Sequence, residues 1–192
     1  MHIALTGGIG SGKSYVCRLL KEYGVDVYDC DAAAKRLMYS LPDVQSRLSQ
    51  AVGCDLFANG KLDKAALSRF IVASEENAGK INSIVHPAVA ADFLASGFEW
   101  LESAILFESG FDKRVDFDFV VCVTAPLETR FERVMLRDGI TRDKAQEWID
   151  RQMPQEEKTA KADFVVENDG NKDLGMQVRV LLETVNKQFK QL

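Results

Sequence analysis

The sequence predicts an α/β fold of three layers, a parallel sheet covered by helices on both faces. Three observations predict it. Five short apolar runs recur along the chain, amphipathic helical patterns separate most of them, and a glycine-rich segment joins the first run to the first helix. The runs cover residues 3–6, 25–28, 100–107, 117–123 and 164–166. They are mostly continuous rather than alternating, as strands buried on both faces of a parallel sheet should be.

The helices follow in order. Residues 13–22 place Val16, Leu19 and Leu20 on one face, and Gly24 suits the C-terminal cap. Residues 127–137 repeat Leu127, Phe131, Val134 and Met135 at helical spacing. Thr141 starts the next helix, which runs to about Met153 before Pro154. Residues 173–190 repeat Leu174, Val178, Leu181, Leu182 and Val185. One interval breaks the rhythm: residues 32–98 contain helical segments only, too many for a crossover, and read as an inserted helical domain. His86-Pro87 within it marks a break between two helices, the alternative being a substrate contact by the imidazole. Residues 128–161 form a second helical lobe. Its basic residues, Arg130, Arg133, Arg137, Arg142, Lys144, Arg151, Lys158 and Lys161, are balanced by eight acids, as in a hairpin laced with ion pairs.

Composition narrows the function classes. The 192 residues are 46% hydrophobic and 28% charged, ordinary for a folded protein. The net charge of −5 argues against non-specific binding to nucleic acid or to an anionic membrane. No run reaches the ~20 apolar residues of a membrane span. The first residues carry no basic segment before a long apolar stretch, so no secretory signal is expected. Cys17, Cys30, Cys54 and Cys122 include no C-x-x-C pair and there are two histidines, so reduced thiols in a cytoplasmic protein are expected rather than zinc.

The strongest chemical signal is Gly7-Gly8-Ile9-Gly10-Ser11-Gly12-Lys13-Ser14. It fits G-x-x-x-x-G-K-[ST] and lies between a predicted strand and a predicted helix. Glycines let the backbone approach phosphate oxygens, successive N–H groups line an anion nest, and the helix dipole points at the same place. Lys13 is then expected on the β- and γ-phosphates and the Ser14 hydroxyl on Mg²⁺, with a nucleoside triphosphate as the ligand. A guanine-specific switch needs Asn-Lys-x-Asp, which is absent from the chain. The run at 117–123 ends in Thr124-Ala125-Pro126, without the acidic pair of mechanical ATPases.

The second run ends in Asp29-Cys30-Asp31, and ligands collect at the carboxyl ends of parallel strands. A hydroxyl acceptor needs a carboxylate to orient it and take its proton. Asp31 opens the following helix beside the insertion and is the candidate base, the alternative being an N-cap alone; Asp29 caps that helix or assists Mg²⁺. Arg133 and Arg137 share a helix face and are candidates for the charge of the migrating phosphoryl group, or for surface ion pairs.

Taken together, these residues resemble the dephospho-coenzyme A kinase family. The opening residues 4–14 are similar to its signature, and Asp29-Cys30-Asp31 to its D-A-D element. Asn59-Gly60-Lys61-Leu62-Asp63-Lys64 with Leu67 resembles its G-x-L-D-R-x-x-L segment, and Ile84-Val85-His86-Pro87 its I-V-H-P turn. Ala104-Ile105-Leu106-Phe107-Glu108 resembles P-L-L-F-E, and Arg133-Val134-Met135-Leu136-Arg137-Asp138 its lid R-x-x-x-R-D. Gln152-Met153-Pro154, Ala162-Asp163 and Asn168 with Gly170 complete a pattern spanning about residues 3–170.

The resemblance implies a P-loop kinase core around a five-stranded parallel sheet, built from residues 1–31, 99–127 and 162–192. It implies an acceptor domain at 32–98 and a lid at 128–161. The reaction it implies transfers the γ-phosphate of ATP to the ribose 3′-hydroxyl of dephospho-CoA. Asp31 becomes the base, Lys13, Arg133 and Arg137 the catalytic cations, and Ser14 the Mg²⁺ ligand. Gly7, Gly8, Ile9, Gly10, Ser11, Gly12, Lys13, Ser14, Tyr15 and Asn168 hold the nucleotide. His86 and Glu108 join Asp31 as acceptor-side candidates. Outside the resemblance stand a kinase for another small hydroxyl or nucleotide acceptor, and an ATP-dependent binding module. The sequence departs from the family pattern at Tyr15 (usually threonine), Cys30 (alanine), Lys64 (arginine), Ala104 (proline) and Trp148 (arginine, with Arg151 close by).

Overall fold

A computed structural model describes residues 1–189, without the side chain of Asn59. The chain forms two compact units: Met1–Asp29 together with the chain from Phe98 onward, and Cys30–Gly97.

The first unit is a five-stranded, all-parallel sheet with the order β2-β3-β1-β4-β5. Its strands are β1 (Ile3–Thr6), β2 (Val27–Asp29), β3 (Trp100–Glu102), β4 (Phe119–Thr124) and β5 (Phe164–Glu167). Every residue of β1 is buried, which explains the continuous apolar run. From β1 the chain moves to one side, returns through β3, then crosses to β4 and β5 on the other. The order therefore reverses at β1, and an open α/β sheet binds its ligands at such a point, beyond the strand ends.

Helices α1 (Lys13–Glu22) and α9 (Leu174–Phe189) cover the sheet. Val16, Leu20, Val178, Leu181 and Val185 close one core with Ile3, Leu5, Trp100, Phe119, Val121 and Val166. Lys190, the expected end of the last helix, lies outside the described residues. A second core is made by α6 (Leu127–Asp138) and α7 (Arg142–Asp150), where Phe131, Val134, Ala145 and Ile149 pack with Ile9 and Trp148. A short helix, α8 (Gln155–Ala160), follows.

The second unit holds α2 (Cys30–Ser40), α3 (Pro42–Val52), α4 (Lys64–Ala73) and α5 (Glu75–Ser96). Asp63 Oδ1 caps α4 by accepting from Ala66 N at 2.9 Å, and Ser74 Oγ caps α5 by accepting from Asn77 N at 3.1 Å. Ile81, Ile84, Val85, Val89, Ala90 and Phe93 of α5 are buried.

Several element boundaries differ from expectation. The break at His86-Pro87 does not occur, because α5 runs through Pro87. An interior proline costs a helix about 3 kcal/mol, but each fully buried apolar side chain contributes roughly 1.5–3 kcal/mol, and α5 buries such residues on both sides of it. The third strand stops at Glu102 rather than at 107. Beyond the sheet edge the chain turns, with Ser109 N donating to Ile105 O and Phe111 N to Leu106 O, each at 3.0 Å. The second strand begins at Val27, two residues late, because Val25 N instead donates to Leu20 O at 3.0 Å in the turn after α1. The helix capped by Thr141 ends at Asp150, and Pro154 starts α8.

Candidate active site

The glycine loop follows β1 at the reversal point of the sheet. Gly7 takes φ 146° and Gly12 φ 97°, the latter a left-handed cap on α1. A Cβ at Gly7 would collide with the carbonyl oxygen of Val123, and one at Gly12 with the amide of Asn168. Both positions need glycine for backbone angle and for space. No side chain caps α1, so its leading N–H groups face the loop without an intrahelical partner. Thr6 Oγ1 and Ser11 Oγ are buried without a hydrogen-bond partner among the described residues. Orphaned donors around a glycine nest suit a polyphosphate.

Cations surround the loop. Lys13 Nζ donates to Gly7 O at 3.0 Å and lies 3.7 Å from Glu102 Oε1. Arg130 is 5% exposed, and its Nε donates to Ile9 O at 2.9 Å. Its guanidinium lies over Gly8, where a Cβ would meet it. Burial lowers the guanidinium pKa, and nearby Glu156 opposes that shift. Arg133 donates through Nη1 to Gly10 O at 3.3 Å and through Nη2 to Asn168 Oδ1 at 3.1 Å. Asn168 is itself buried, and its amide donates to Ser11 O at 2.9 Å. Gln152 Oε1 accepts from Ile9 N at 2.7 Å. The loop is thus braced by the helical lobe and by the segment after β5.

Arg137 stands apart from this set: it pairs with Asp138 at 2.8 Å and is 61% exposed. Glu108 accepts from the fully buried Lys158 at 2.6 Å and from Met153 N at 2.9 Å, contacts that anchor the start of α8. Asp31 is exposed in the first turn of α2, two residues past the end of β2. His86 lies inside α5. Ser14 and Tyr15 are exposed on the first turn of α1, and the Arg18 guanidinium lies 5.2 Å above the Tyr15 ring. Gly12, Tyr15, Arg133, Asn168 and Gly170, with the start of α9, line a cleft of about 530 Å³. That volume lies in the usual range for small-molecule sites.

Three charged residues of the sheet unit, two of them against the loop, were not among the expected site residues. Arg130 precedes Arg133 by three and so shares its face, a signal masked by the balanced charge of the lobe. Lys158 was hidden in the same balance. Glu102 was read as the middle of a longer strand; in the structure it ends β3, in register with Asp29 of β2. The two carboxylates and burial push the nearby Cys17 thiol up to about 12, burial being the larger cause.

A glycine nest after the first strand of a parallel sheet, with a lysine over it and arginines around it, defines a P-loop phosphotransferase of the kinase class. The family model described as Dephospho-CoA kinase matches residues 1–173. A Bacteroides fragilis protein named Dephospho-CoA kinase is 42% identical over 189 residues, covering 95% of this chain and 91% of its own. One of the same name from Geobacillus kaustophilus is 36% identical and covers 100% of this chain and 98% of its own. The crystal structure of TT1252 from Thermus thermophilus matches with a TM-score of 0.79 and 33% identity, over 98% of this chain and 99% of that one. The chain belongs to the dephospho-CoA kinase family, and its activity is that of a dephospho-CoA kinase, the final step of coenzyme A biosynthesis.

Proposed function

We propose that the Gly7–Ser14 loop holds the triphosphate of ATP while Asp31 activates the ribose 3′-hydroxyl of dephospho-CoA. The observation that carries the nucleotide half is the braced loop, with Lys13 Nζ 3.0 Å from Gly7 O and Arg133 within hydrogen-bond reach of Gly10 O. The Asp31 carboxylate takes the hydroxyl proton, the oxygen attacks the γ-phosphorus, and ADP leaves. Lys13 and Arg133 stabilise the charge spread over the transferring group. Arg137 joins them: its exposed pair with the adjacent Asp138 is weak enough to be exchanged for phosphate. Tyr15 and Asn168 border the cleft for the nucleoside of ATP. On the acceptor side, Asp31 does the chemistry. His86 supports the helical unit from within α5, and Glu108 acts through Lys158 and Met153 rather than by open contact.

The donor set also suits Mg²⁺. Among the described residues no group of three or more His, Cys, Asp or Glu can hold a metal by itself, whereas the exposed Ser14 hydroxyl beside a phosphate nest offers a site completed by substrate oxygens. When bound there, Mg²⁺ neutralises phosphate charge and aligns the leaving oxygen. No helix among the described residues is long and apolar enough to cross a membrane. Placement in the cytoplasm is part of this proposal, supported by four cysteines that form no disulfide.

The test is Asp31→Asn. The expected outcome is a fall in turnover of roughly 10²–10⁴-fold, as for loss of a general base, with ATP affinity within about twofold. Turnover within a few-fold of the native enzyme rules out Asp31 as the base.

A further inference from the structure

We propose that Arg130 is a positioning residue for phosphoryl transfer: by holding the Ile9 carbonyl it aims the Gly10 N–H at the triphosphate. This rests on the Gly7–Ser14 loop as the triphosphate site.

Four arginines lie on α6 and at the start of α7, and they divide in two. Arg137 and Arg142 pair on the surface with Asp138 and Glu128, at 2.8 and 2.7 Å. Arg130 and Arg133 form no ion pair with any described residue, and both reach backbone oxygens of the glycine loop. Arg151 does not join them: it is exposed, and its charge acts on the Glu147 carboxylate. Burying a guanidinium without a paired carboxylate is costly. Packing alone would be served by an apolar side chain.

The contacts of Ile9 show what the buried guanidinium does. Gln152 Oε1 accepts from Ile9 N at 2.7 Å, and Arg130 Nε donates to Ile9 O at 2.9 Å. Ile9 is therefore held at both its polar groups, while its side chain packs against Phe131, Val134, Ala145 and Ile149. A trans peptide is planar and sets its C=O and N–H in opposite directions. Fixing Ile9 O toward α6 turns the Gly10 N–H away from α6. Gly10 itself sits directly on that helix, since a Cβ there would lie 2.7 Å from the Arg130 carbonyl oxygen. With α6 against one side of Gly10, the N–H turns to the other, and it donates to no described residue. The next amide is used within the loop, Ser11 N donating to Gly8 O at 3.1 Å. The Ser11 carbonyl repeats the device: Asn168 Nδ2 donates to it at 2.9 Å and so orients the Gly12 N–H. Donors fixed before the substrate arrives need no reorganisation as charge develops on the migrating group.

The experiment follows the backbone amide resonances of the isotope-labelled enzyme as ATP and Mg²⁺ are added without acceptor, together with steady-state kinetics. In the native enzyme the Gly10 amide proton is expected to move downfield, as it enters a charge-assisted hydrogen bond. Arg130→Met keeps bulk but removes donor and charge. Its Gly10 shift is expected to vanish, and its kcat/KM for ATP to fall about tenfold, the worth of one well-placed hydrogen bond. Arg130→Gln keeps a donor for Ile9 O without the charge. It is expected to retain the Gly10 shift and to stay within about threefold of the native kcat/KM. Val178→Ala, in the core under α9, controls for lost stability and is expected to leave both readouts unchanged. Arg130→Gln as impaired as Arg130→Met, or Val178→Ala as impaired as either, overturns the proposal. So does a native Gly10 amide that stays still while those of Gly12 and Lys13 move, a result that needs no variant to fold. No movement at any of the three removes the loop as the triphosphate site, and the role of Arg130 with it.

Discussion

The two units bury different kinds of side chain. Thr6, Ser11, Ser103, Arg130, Lys158 and Asn168 are the buried polar residues among those described, and all belong to the sheet unit. Among the described residues, those that the helical unit buries fully are apolar, such as Leu37, Leu48, Val89 and Phe93. Burying a polar group costs free energy unless it is hydrogen-bonded. Arg130, Lys158 and Asn168 meet that condition by gripping backbone carbonyls, at Ile9, Ala104 and Ser11. The sheet unit thus accepts costly burial to hold the glycine loop and the turn after β3 in shape, while the helical unit spends its interior on packing and keeps its chemistry on the surface. Changes inside the first should move stability and nucleotide binding together. Changes inside the second should move stability alone.

The largest effect is expected at Lys13. Lys13→Ala should cut kcat/KM for ATP by roughly 10²–10³-fold, in the range seen when one charge-stabilising donor is removed. A loss below tenfold would mean that the arginines carry the charge without it. Leu48→Ala tests the helical interior, since Leu48 is fully buried. A loss of about 2–5 kcal/mol in denaturant unfolding is expected, with ATP affinity of the folded protein unaltered. A weakened ATP affinity would break the contrast between the units. Arg130→Ala comes next. It leaves the Ile9 carbonyl without its side-chain donor and empties the space over Gly8, so about 1–3 kcal/mol of stability should go, along with at least severalfold in ATP affinity. Stability lost without any change in ATP binding would show that the buried arginine only packs.

The smallest effect is at the exposed Arg142–Glu128 pair, at 2.7 Å. The hydrogen bond from Arg142 lowers the Glu128 pKa below its ordinary 4.5. Its folded-state pKa is depressed, so its contribution is present above the unfolded value and is lost as pH falls through the folded one. The Tm difference between the native protein and Glu128→Gln should therefore be small near neutrality and vanish as pH drops below about 4.5. A difference that grows on acidification would reverse the sign.

Local pattern made much of the sheet unit legible. The Gly7–Ser14 loop could be read because glycine, lysine and serine at fixed spacing have few other uses between a strand and a helix. Arg130 could not be read, since nothing local separates an arginine that turns inward from one that pairs outward, like Arg142. Glu102 was missed because the apolar run continues past it; the strand ends where the sheet ends, which is a property of its neighbours. His86-Pro87 misled for the same reason, since a proline signals a break only when packing does not hold the helix together.

By itself, then, the sequence determined the strand and helix order, the phosphate loop and the family, because these depend on residues close together in the chain. Tertiary structure alone decided which of several like charges are buried, where β3 stops, and that α5 passes through its proline. Those outcomes turn on desolvation and packing among residues far apart in sequence, and local pattern carries no record of either.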